Sequence, residues 1–561
     1  MLKPTRRWSA RFALVIACLV ATVCPAADTP NHAGATTLSS LPPPSALRQH
    51  VANGKLRLTL EDAIRLTLLN NTDVRLARTP VDQAHYRIMA AYAPFDPVLT
   101  GNGLDQRSLS QATNELQGVG STSLQGLGTS SVANQTLNQL NQSSTVTYSQ
   151  TFETGSVFST SFTGGKFDTN NGFYFINPYL TAGWLLQVTQ PLLKNRGFFP
   201  NLAPVRIAQR GARASQQTFE AEVNTSIQQA IDQYWNVVLA RESLRVADAS
   251  LKQAQATYDH DKRSLDLGAL PPLDIYRSES EVAQRRVASI QAEYQLKQQE
   301  DGLRQVIGAD LDPYVEALDL DLVQDPAPLE PLFSIDVSSA QGLAEQHRPE
   351  FAALREQLAA DDISIRLARN NLLPDVELQG IYNAQGIGGN QYNIFVTPVV
   401  VTPGGFGDAL SQLFHFSYPT YSLGLTFNFP IHNRAARAAL GESRVAKAND
   451  LYQMRRQQQA VRLEVLNAVH SLEEAKLSIS AAKIARDLAG KTVESEQRKY
   501  ELGTGTIFLV LEAQTELAQT EVTLVQAEVN YQMALAAVDH ATGTLLERHH
   551  VQLEQSGFTP P

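Results

Sequence analysis

Apolar residues recur at every seventh position along two long stretches of the chain. In residues 204–267, which contain no proline after Pro204, these positions are Val223, Ala230, Val237, Leu244, Leu251, Tyr258 and Leu265, with Ala240, Ala247 and Ala254 three positions further on. The second stretch has Val461, Ala468, Ala475, Ala482 and Ala489. A strict seven-residue repeat predicts helices that coil left-handedly around their neighbours. At ~1.5 Å per residue, the first helix would be a rod of ~96 Å.

A second pattern, with a period of two residues, occurs between the helical stretches. Apolar side chains alternate with small or polar ones over 421–429, and the same alternation occurs around Trp184, Leu186 and Val188 and around Val376, Leu378 and Tyr382. This alternation predicts β-strands with one apolar face. It is typical both of a half-buried soluble sheet and of a transmembrane β-barrel, so both interpretations stay open at this point.

Parts of the sequence recur at fixed distances, which indicates an internal duplication. Ala63, Asp73 and Pro97 are echoed 277 residues later, and Leu267-Gly268 is echoed 235 residues later. We therefore predict a first structural repeat at 57–312, a linker at 313–333 and a second repeat at 334–547. Each repeat would run helix, strands, long helix, turn and helix. The first repeat is about 42 residues longer, and we expect its polar segment 106–144 to be an exposed, dispensable loop.

The chain begins with a segment typical of secretory signal peptides. Basic residues at Lys3, Arg6 and Arg7 precede an apolar run that is too short to span a bilayer, and small residues follow at Ala26 and Ala27. We predict a signal peptide over 1–27 and a flexible leader over 28–56. A lipoprotein signal ending at Cys18 is the alternative. Both cysteines lie in this segment, so ordinary cleavage would leave none.

Composition excludes several classes of function. The net charge of −10 argues against a nucleic-acid-binding protein, and a mean hydropathy of −0.20 excludes a bundle of membrane helices. Phosphate-loop and nucleophile-elbow motifs are missing, and the eleven histidines lack metal-ligand spacing. We therefore expect no enzyme activity, cofactor or metal. Residues 548–561, which include His549 and His550, are interpreted as a polar C-terminal tail.

Several short motifs, in duplicated order, resemble those of the TolC-like outer-membrane efflux protein family. They comprise Leu58-Thr-Leu-Glu-Asp-Ala63 at the first helix, Asn70 to Asp73 behind it, Gln190 to Leu193 and Phe429 to Ile431 at strand ends, and the two Leu-Gly turns. The resemblance implies a mainly α protein with a β-barrel part. Each subunit of a homotrimer would give four strands to a 12-stranded transmembrane barrel and its helices to a long α-helical barrel.

The same resemblance implies a function as the exit duct of a tripartite efflux or type I secretion system. The protein would lie in outer-membrane lipid and extend into the periplasm, where a periplasmic adaptor protein and an inner-membrane pump would be its partners. The alternative is a periplasmic coiled-coil scaffold or adhesin without a channel. The resemblance does not specify the exported substrate.

The resemblance also assigns the candidate site residues. The helical turns Leu267, Gly268, Ala269, Leu270 and Leu502, Gly503, Thr504, Gly505 would contact the adaptor. Asp274, Leu509 and Glu512 would lie at the periplasmic gate. Family members carry a second acid where this chain has Leu509, and a basic residue where it has Gly505. A different closure of the gate is therefore expected here.

Overall fold

The computed structural model describes residues 44–113, 136–267, 275–328, 331–392, 400–502 and 504–551. The predicted signal peptide, including Cys18, lies outside the described residues, as does the start of the predicted leader. The first half of the chain contains β1 (Val51–Ala52), β2 (Lys55–Leu58), α1 (Leu60–Asn70), α2 (Thr72–Tyr92), β3 (Val98–Gln111), β4 (Thr136–Thr151), β5 (Val157–Thr169), β6 (Tyr179–Pro191), α3 (Phe198–Asp266) and α4 (Ile275–Val306).

The second half contains a similar order of elements. They are α5 (Pro313–Glu316), β7 (Asp319–Leu322), α6 (Val337–His347), α7 (Pro349–Asn370), β8 (Asp375–Gly388), β9 (Gln391–Tyr392), β10 (Val400–Thr402), α8 (Phe406–Phe414), β11 (Pro419–Asn428), α9 (Arg434–Glu501), α10 (Ile507–Thr542) and α11 (Leu545–Arg548). Helices dominate the molecule, and the longest strands are gathered in one sheet between them.

Helix α9 buries all of its predicted heptad positions, whereas α3 buries the first three and leaves the later ones, from Leu244 onward, partly buried. Val223, Ala230 and Val237 of α3 are buried, as are Val461 and Ala468 of α9. At about 1.5 Å per residue, the 69 residues of α3 span roughly 100 Å. Helix α3 begins at Phe198, six residues before the predicted start, and so contains Pro204 in its second turn. The small alanine side chains along both seams let α4 and α10 pack close beside the long helices.

Local capping sets where the shorter helices begin. Thr59 Oγ1 accepts a hydrogen bond from the Asp62 backbone N–H (3.2 Å), and Asp62 Oδ2 accepts one from the Thr59 N–H (3.1 Å), which together form a capping box. The helix that follows is not continuous, because Asn71 ends α1 and its side chain caps α2. Arg348 likewise lies between α6 and α7, but its side chain does not cap α7.

The main sheet contradicts the expected four strands per subunit. Six antiparallel strands pair within the chain in the order β11-β8-β6-β5-β4-β3. The first half of the chain supplies four of them. The 106–144 segment was expected to be a loop, but its first and last residues belong to strands. Residues up to Gln111 belong to β3, which pairs with β4 from Thr136 onward, whereas 114–135 lie outside the described residues. Backbone hydrogen bonds hold this hairpin, and its side chains are mostly polar. The sequence of the segment therefore lacks the alternation of apolar and polar residues that would predict strands.

Parts of the predicted leader and linker are also folded. The segment before β2 contains a 3-10 turn whose Leu47 is buried, and β2 pairs antiparallel with β1 and parallel with β7 of the predicted linker. Leu56, Leu58 and Leu322 are buried in the core around α3. The alternating leucines therefore anchor these segments. Residues 28–43 of the predicted leader and 329–330 of the predicted linker lie outside the described residues, so the prediction for them stays untested.

The predicted C-terminal tail begins as ordered structure. Arg548, at the end of α11, pairs with Asp539 at 2.6 Å, and Val551 packs against the main core. His549 is half-buried, and this burial lowers the pKa of its imidazole. Residues 552–561 lie outside the described residues.

A buried ion-pair network joins three helices at the junction of α6 and α7. The Arg348 guanidinium is 5% exposed and donates to both carboxylate oxygens of Glu464 on α9, at 2.8 and 2.9 Å. It also bonds Glu350, and His540 Nδ1 of α10 lies 3.1 Å from Glu464. Burial raises the pKa of Glu464, but the His540 hydrogen bond and the Arg348 charge outweigh it and leave this pKa below its ordinary value.

Replacing Arg348 by alanine should destabilise the fold by about 2–3 kcal/mol. This lies below the ~3–5 kcal/mol lost on breaking a fully buried pair, because the Glu464 side chain is 38% exposed. Denaturant-induced loss of helicity measures the effect. Since the pKa of Glu464 is lowered, the pair stabilises above the ordinary glutamate pKa and its contribution is lost as pH falls through the lowered one. Exposed Arg355→Ala is the control, and an equal loss in both variants would contradict the assignment.

Candidate functional site

The candidate turns lie at the tips of two helical hairpins, α3–α4 and α9–α10, at the ends of the long helices farthest from the sheet. Leu267 and Leu502 are 84% and 78% exposed there, so each tip presents a leucine side chain to its surroundings. Gly268, Ala269, Leu270 and Asp274 of the first turn, and Gly503 of the second, lie outside the described residues. The role of Asp274 therefore stays a prediction.

The second turn is closed by the end of α9. The Lys499 carbonyl accepts hydrogen bonds from the backbone N–H groups of Thr504 (2.9 Å) and Gly505 (3.0 Å) and from the Thr504 hydroxyl. A Cβ atom at Gly505 would lie 3.0 Å from Lys499 Cβ and from the Tyr500 nitrogen. Such contacts are tighter than ordinary ones, so this turn accommodates glycine more easily than the basic residue that the family resemblance leads one to expect.

A buried carboxylate joins three helices just behind the tips. Asp261 of α3 is fully buried and accepts hydrogen bonds from the Tyr500 hydroxyl of α9 (2.9 Å) and from the Ser278 hydroxyl of α4. The His260 ring also packs edge-on against Tyr500. Burying a carboxylate is costly unless hydrogen bonds satisfy it. Asp261 therefore holds the two hairpins together only while Tyr500 and Ser278 stay in place.

Sequence reasoning missed Asp261, although a signal was present. Asp261 follows Ala240, Ala247 and Ala254 at the next position of the same seven-residue series. An acid at a seam position is buried by the helix geometry and requires polar partners. The partners Tyr500 and Ser278 come from other helices, so the interruption of the seam could be seen in the sequence but its partners could not.

A second set of contacts joins α4 to α10. The Arg277 guanidinium lies 5.9 Å from the centre of the Phe508 ring, and Arg285 donates to the Thr515 hydroxyl. Leu509 and Glu512 are both exposed on the first turns of α10. The structure therefore brings Leu509 and Glu512 close to the second turn without burying either in the hairpin.

Strands β6, β8 and β11 give the sheet one mostly apolar and one mostly polar face, whereas β3 and β4 are largely polar on both. In register across all six strands, Tyr421, Tyr382, Leu186, Thr160, Tyr148 and Leu99 form one row of the first face. The neighbouring row on the opposite face reads Thr420, Asn383, Leu185, Ser161, Thr147 and Thr100. We call these the apolar face and the polar face. Among the described residues, no helix combines the length and apolarity needed to cross a membrane.

The chain matches the sequence model of a known family over most of its length. The family is described as "Outer membrane efflux protein", and it matches residues 158–309 and 341–544, which contain β5, β6, α3 and α4 and nearly all of α6 to α10. The chain belongs to the outer membrane efflux protein family. It is therefore an efflux channel of the outer membrane, as the resemblance in its motifs predicted.

Individual relatives agree with this assignment. The chain is 22% identical to the outer membrane protein TolC of Escherichia coli over 407 residues, which cover 71% of this chain and 77% of that one. The CmeC outer membrane channel of Campylobacter jejuni has a similar fold, with a TM-score of 0.58 at 16% identity over 87% of this chain and 86% of that one. A membrane protein from Pseudomonas aeruginosa gives a TM-score of 0.60 at 17% identity over 86% and 93%.

Removing the Tyr500 hydroxyl should loosen the contact between the two hairpins. A hydrogen bond to a charged acceptor contributes about 1.5 kcal/mol or more, so amide hydrogen exchange at the end of α9 should speed up roughly tenfold in Tyr500→Phe. Tyr452→Phe is the matched control on the same helix, because Tyr452 is 71% exposed. Equal exchange in wild type and Tyr500→Phe would contradict the role given to Asp261.

Proposed function

We propose that this efflux channel works as a homotrimeric, passive exit duct without catalytic chemistry of its own. The two exposed leucine turns would contact a periplasmic adaptor, which couples the duct to an inner-membrane pump. Family membership supports both partners, and the exposure of Leu267 and Leu502 at the tips supports the contact surface. The similar order of elements in the two halves supports an origin by internal duplication.

The need to pair both edge strands of the sheet supports the proposed homotrimer. In hydrocarbon every backbone polar group requires a partner, so the outer edges of β3 and β11 cannot face lipid unpaired. Because the sheet has an even number of antiparallel strands, β3 and β11 run in opposite directions. Copies joined edge to edge therefore continue the antiparallel pattern, and the apolar face would contact lipid while the polar face lines the duct.

Three such subunits would form a barrel of 18 strands instead of the expected 12. Barrel diameter grows roughly linearly with strand number, so this barrel would be about 1.5 times as wide as a 12-stranded one. The extra width comes from the first half of the chain, which supplies four strands where the second half supplies β8 and β11 to the same sheet.

Cysteine cross-linking tests this closure, since both native cysteines lie in the predicted signal peptide. A cysteine at Leu99 of β3 is combined with one at Leu423, Leu425 or Phe427 of β11. At least one pair should give disulfide-linked dimers and trimers on non-reducing gels, because paired strands bring Cα atoms within disulfide range. As a control, a cysteine at Leu186 of the central strand β6 should give monomers only. Monomers from every β3–β11 pair would contradict the proposed edge.

The coiled-coil scaffold or adhesin is the weaker alternative. A scaffold would account for the heptads of α3 and α9, but it would not explain why the sheet has one apolar and one polar face. The channel proposal uses both features, with the helices as the periplasmic wall and the sheet as the membrane wall.

The narrow end of the duct would lie at the hairpin tips. Three copies of Glu512 around a threefold axis would form a ring of carboxylates that concentrates cations, while the Tyr500–Asp261 contact would hold each hairpin in its closed position. The exposure of Glu512 next to the second turn supports its membership of this ring. Leu509, where family members carry a second acid, would make the ring less charged.

In planar bilayers, Glu512→Gln trimers should lose most of their preference for cations and their sensitivity to divalent blockers. The matched control is Glu474→Gln, an exposed acid on α9 roughly 40 Å along the helix from the turn. Its current should retain both properties. If the two variants behave alike, Glu512 is an ordinary solvated charge and the proposed gate position is wrong.

A further inference from the structure

A short helix packs on the apolar face of the sheet. Helix α8 lies between β10 and β11 in the chain, and it buries Ala409 and Leu413 against Ala182 of β6 and Ala384 of β8. Its first turn is closed by a hydrogen bond from the Gly405 N–H to Asp408 Oδ2 (2.7 Å). The Ile387 N–H donates to Gln412 Oε1 (3.0 Å), which ties the helix to β8.

Glycines in β8 make room for this helix. A Cβ atom at Gly386 would collide with the Ala409 carbonyl, and one at Gly388 would collide with the Gly405 carbonyl. These contacts place the beginning of α8 at the end of β8, so the helix runs antiparallel to that strand. The absence of side chains at these two positions lets the helix backbone lie directly on the strand backbone.

The residues after α8 continue the contact with aromatic side chains. Phe416 has a left-handed backbone conformation (φ 52°), which is unusual for a residue other than glycine. This conformation turns the chain toward β11 and positions the Phe416 ring 6.0 Å from Trp184 and 6.1 Å from Tyr382, both on the apolar face. Helix α8 and Phe416 therefore cover one connected patch of that face.

The polarity of the sheet decides on which side of the barrel this helix lies. The apolar face carries Phe427, Leu425 and Tyr421 along β11, whereas the opposite face carries Thr426, Gly424 and Ser422. With α8 inside the duct, the aromatic residues would line water and the hydroxyls would face hydrocarbon. Membrane barrels have the reverse arrangement, with an apolar outer surface and a polar interior.

The position of α8 along β8 gives its depth. Strand β8 begins at Asp375, shortly after helix α7, and ends at Gly388. Since the helices extend into the periplasm, Gly388 lies at the opposite, extracellular end of the strand. The contacts of α8 and Phe416 with Gly388, Gly386, Ala384 and Tyr382 therefore fall in the outer half of the membrane.

We propose that α8 lies on the outside of the barrel and binds the lipid of the outer leaflet, with Leu410 and Phe414 against acyl chains. Phe414 and Tyr418 are 67% and 64% exposed next to the apolar face, so the lipid-contacting surface of the sheet continues onto the helix. Asp408 lies in the first turn of α8, beside Gly388 at the extracellular end of β8 and therefore nearest the headgroups, whereas Phe414 lies at the deeper end of the helix.

The proposal rests on the membrane barrel proposed above. Site-directed spin labelling distinguishes a failure of the α8 proposal from a failure of the barrel proposal. Single cysteines replace Phe414 on α8 or Gln385 on the polar face of β8 at the same depth, and spin-labelled trimers are reconstituted into lipid vesicles. Collision with molecular oxygen, which concentrates in hydrocarbon, is compared with collision with a water-soluble nickel chelate.

The Phe414 label should collide several-fold more with oxygen than with the chelate, and the Gln385 label should show the opposite preference. A Phe414 label that favours the chelate, beside a Gln385 label that also favours it, would place α8 in water and overturn the inference while leaving the barrel intact. A Gln385 label that favours oxygen would reverse the faces of the sheet and overturn both proposals.

If the spin-labelled variants assemble poorly, the ion selectivity of single channels gives a second test. Phe414→Arg places a charge on α8, and Gln385→Arg places the same charge on the polar face at the same depth. Phe414→Arg channels should keep the ion selectivity of the wild type, whereas Gln385→Arg channels should shift toward anions. A selectivity shift in Phe414→Arg as large as that in Gln385→Arg would place α8 in the duct and overturn the inference.

Discussion

The pairing of backbone groups at the edges of the six-stranded sheet is the constraint on which the rest of this architecture depends. Hydrocarbon offers no hydrogen bonds, so an edge strand in a membrane requires another strand beside it. A single chain leaves β3 and β11 as edges of the sheet, and in the proposed trimer neighbouring copies pair with both. The even number of strands makes such pairing antiparallel at every junction. The proposed oligomer follows from this requirement, without a need for specific side-chain contacts.

The helices obey a different constraint, which is close packing along a seven-residue seam. Alanines at the seam of α3 and α9 allow short distances between helix axes, and the returning helices α4 and α10 fill the space beside them. A polar residue at such a seam requires partners. Asp261 meets this requirement through hydroxyl groups of two other helices, and so one interruption of the seam becomes a connection between the hairpins.

Three glycines of this chain leave room for neighbouring parts of the structure. Gly505 lies so close to the end of α9 that a side chain would force its neighbours to shift. Gly386 and Gly388 likewise lack side chains where α8 crosses β8. In each case a small residue marks a place where two segments of backbone approach each other closely.

The sequence by itself determined the long helices, the alternation of β11 and the family. These features depend on residues near one another in the chain, and their periodicity can be read directly. Tertiary structure alone decided that Gln106 to Gln111 and Thr136 to Ser144 pair as strands, that Leu47 and Leu322 share one core, and that Tyr500 reaches Asp261. Polar strands are held by backbone hydrogen bonds that leave no side-chain pattern. A buried carboxylate requires polar partners, and Tyr500 lies 239 positions from Asp261 in the chain but next to it in space.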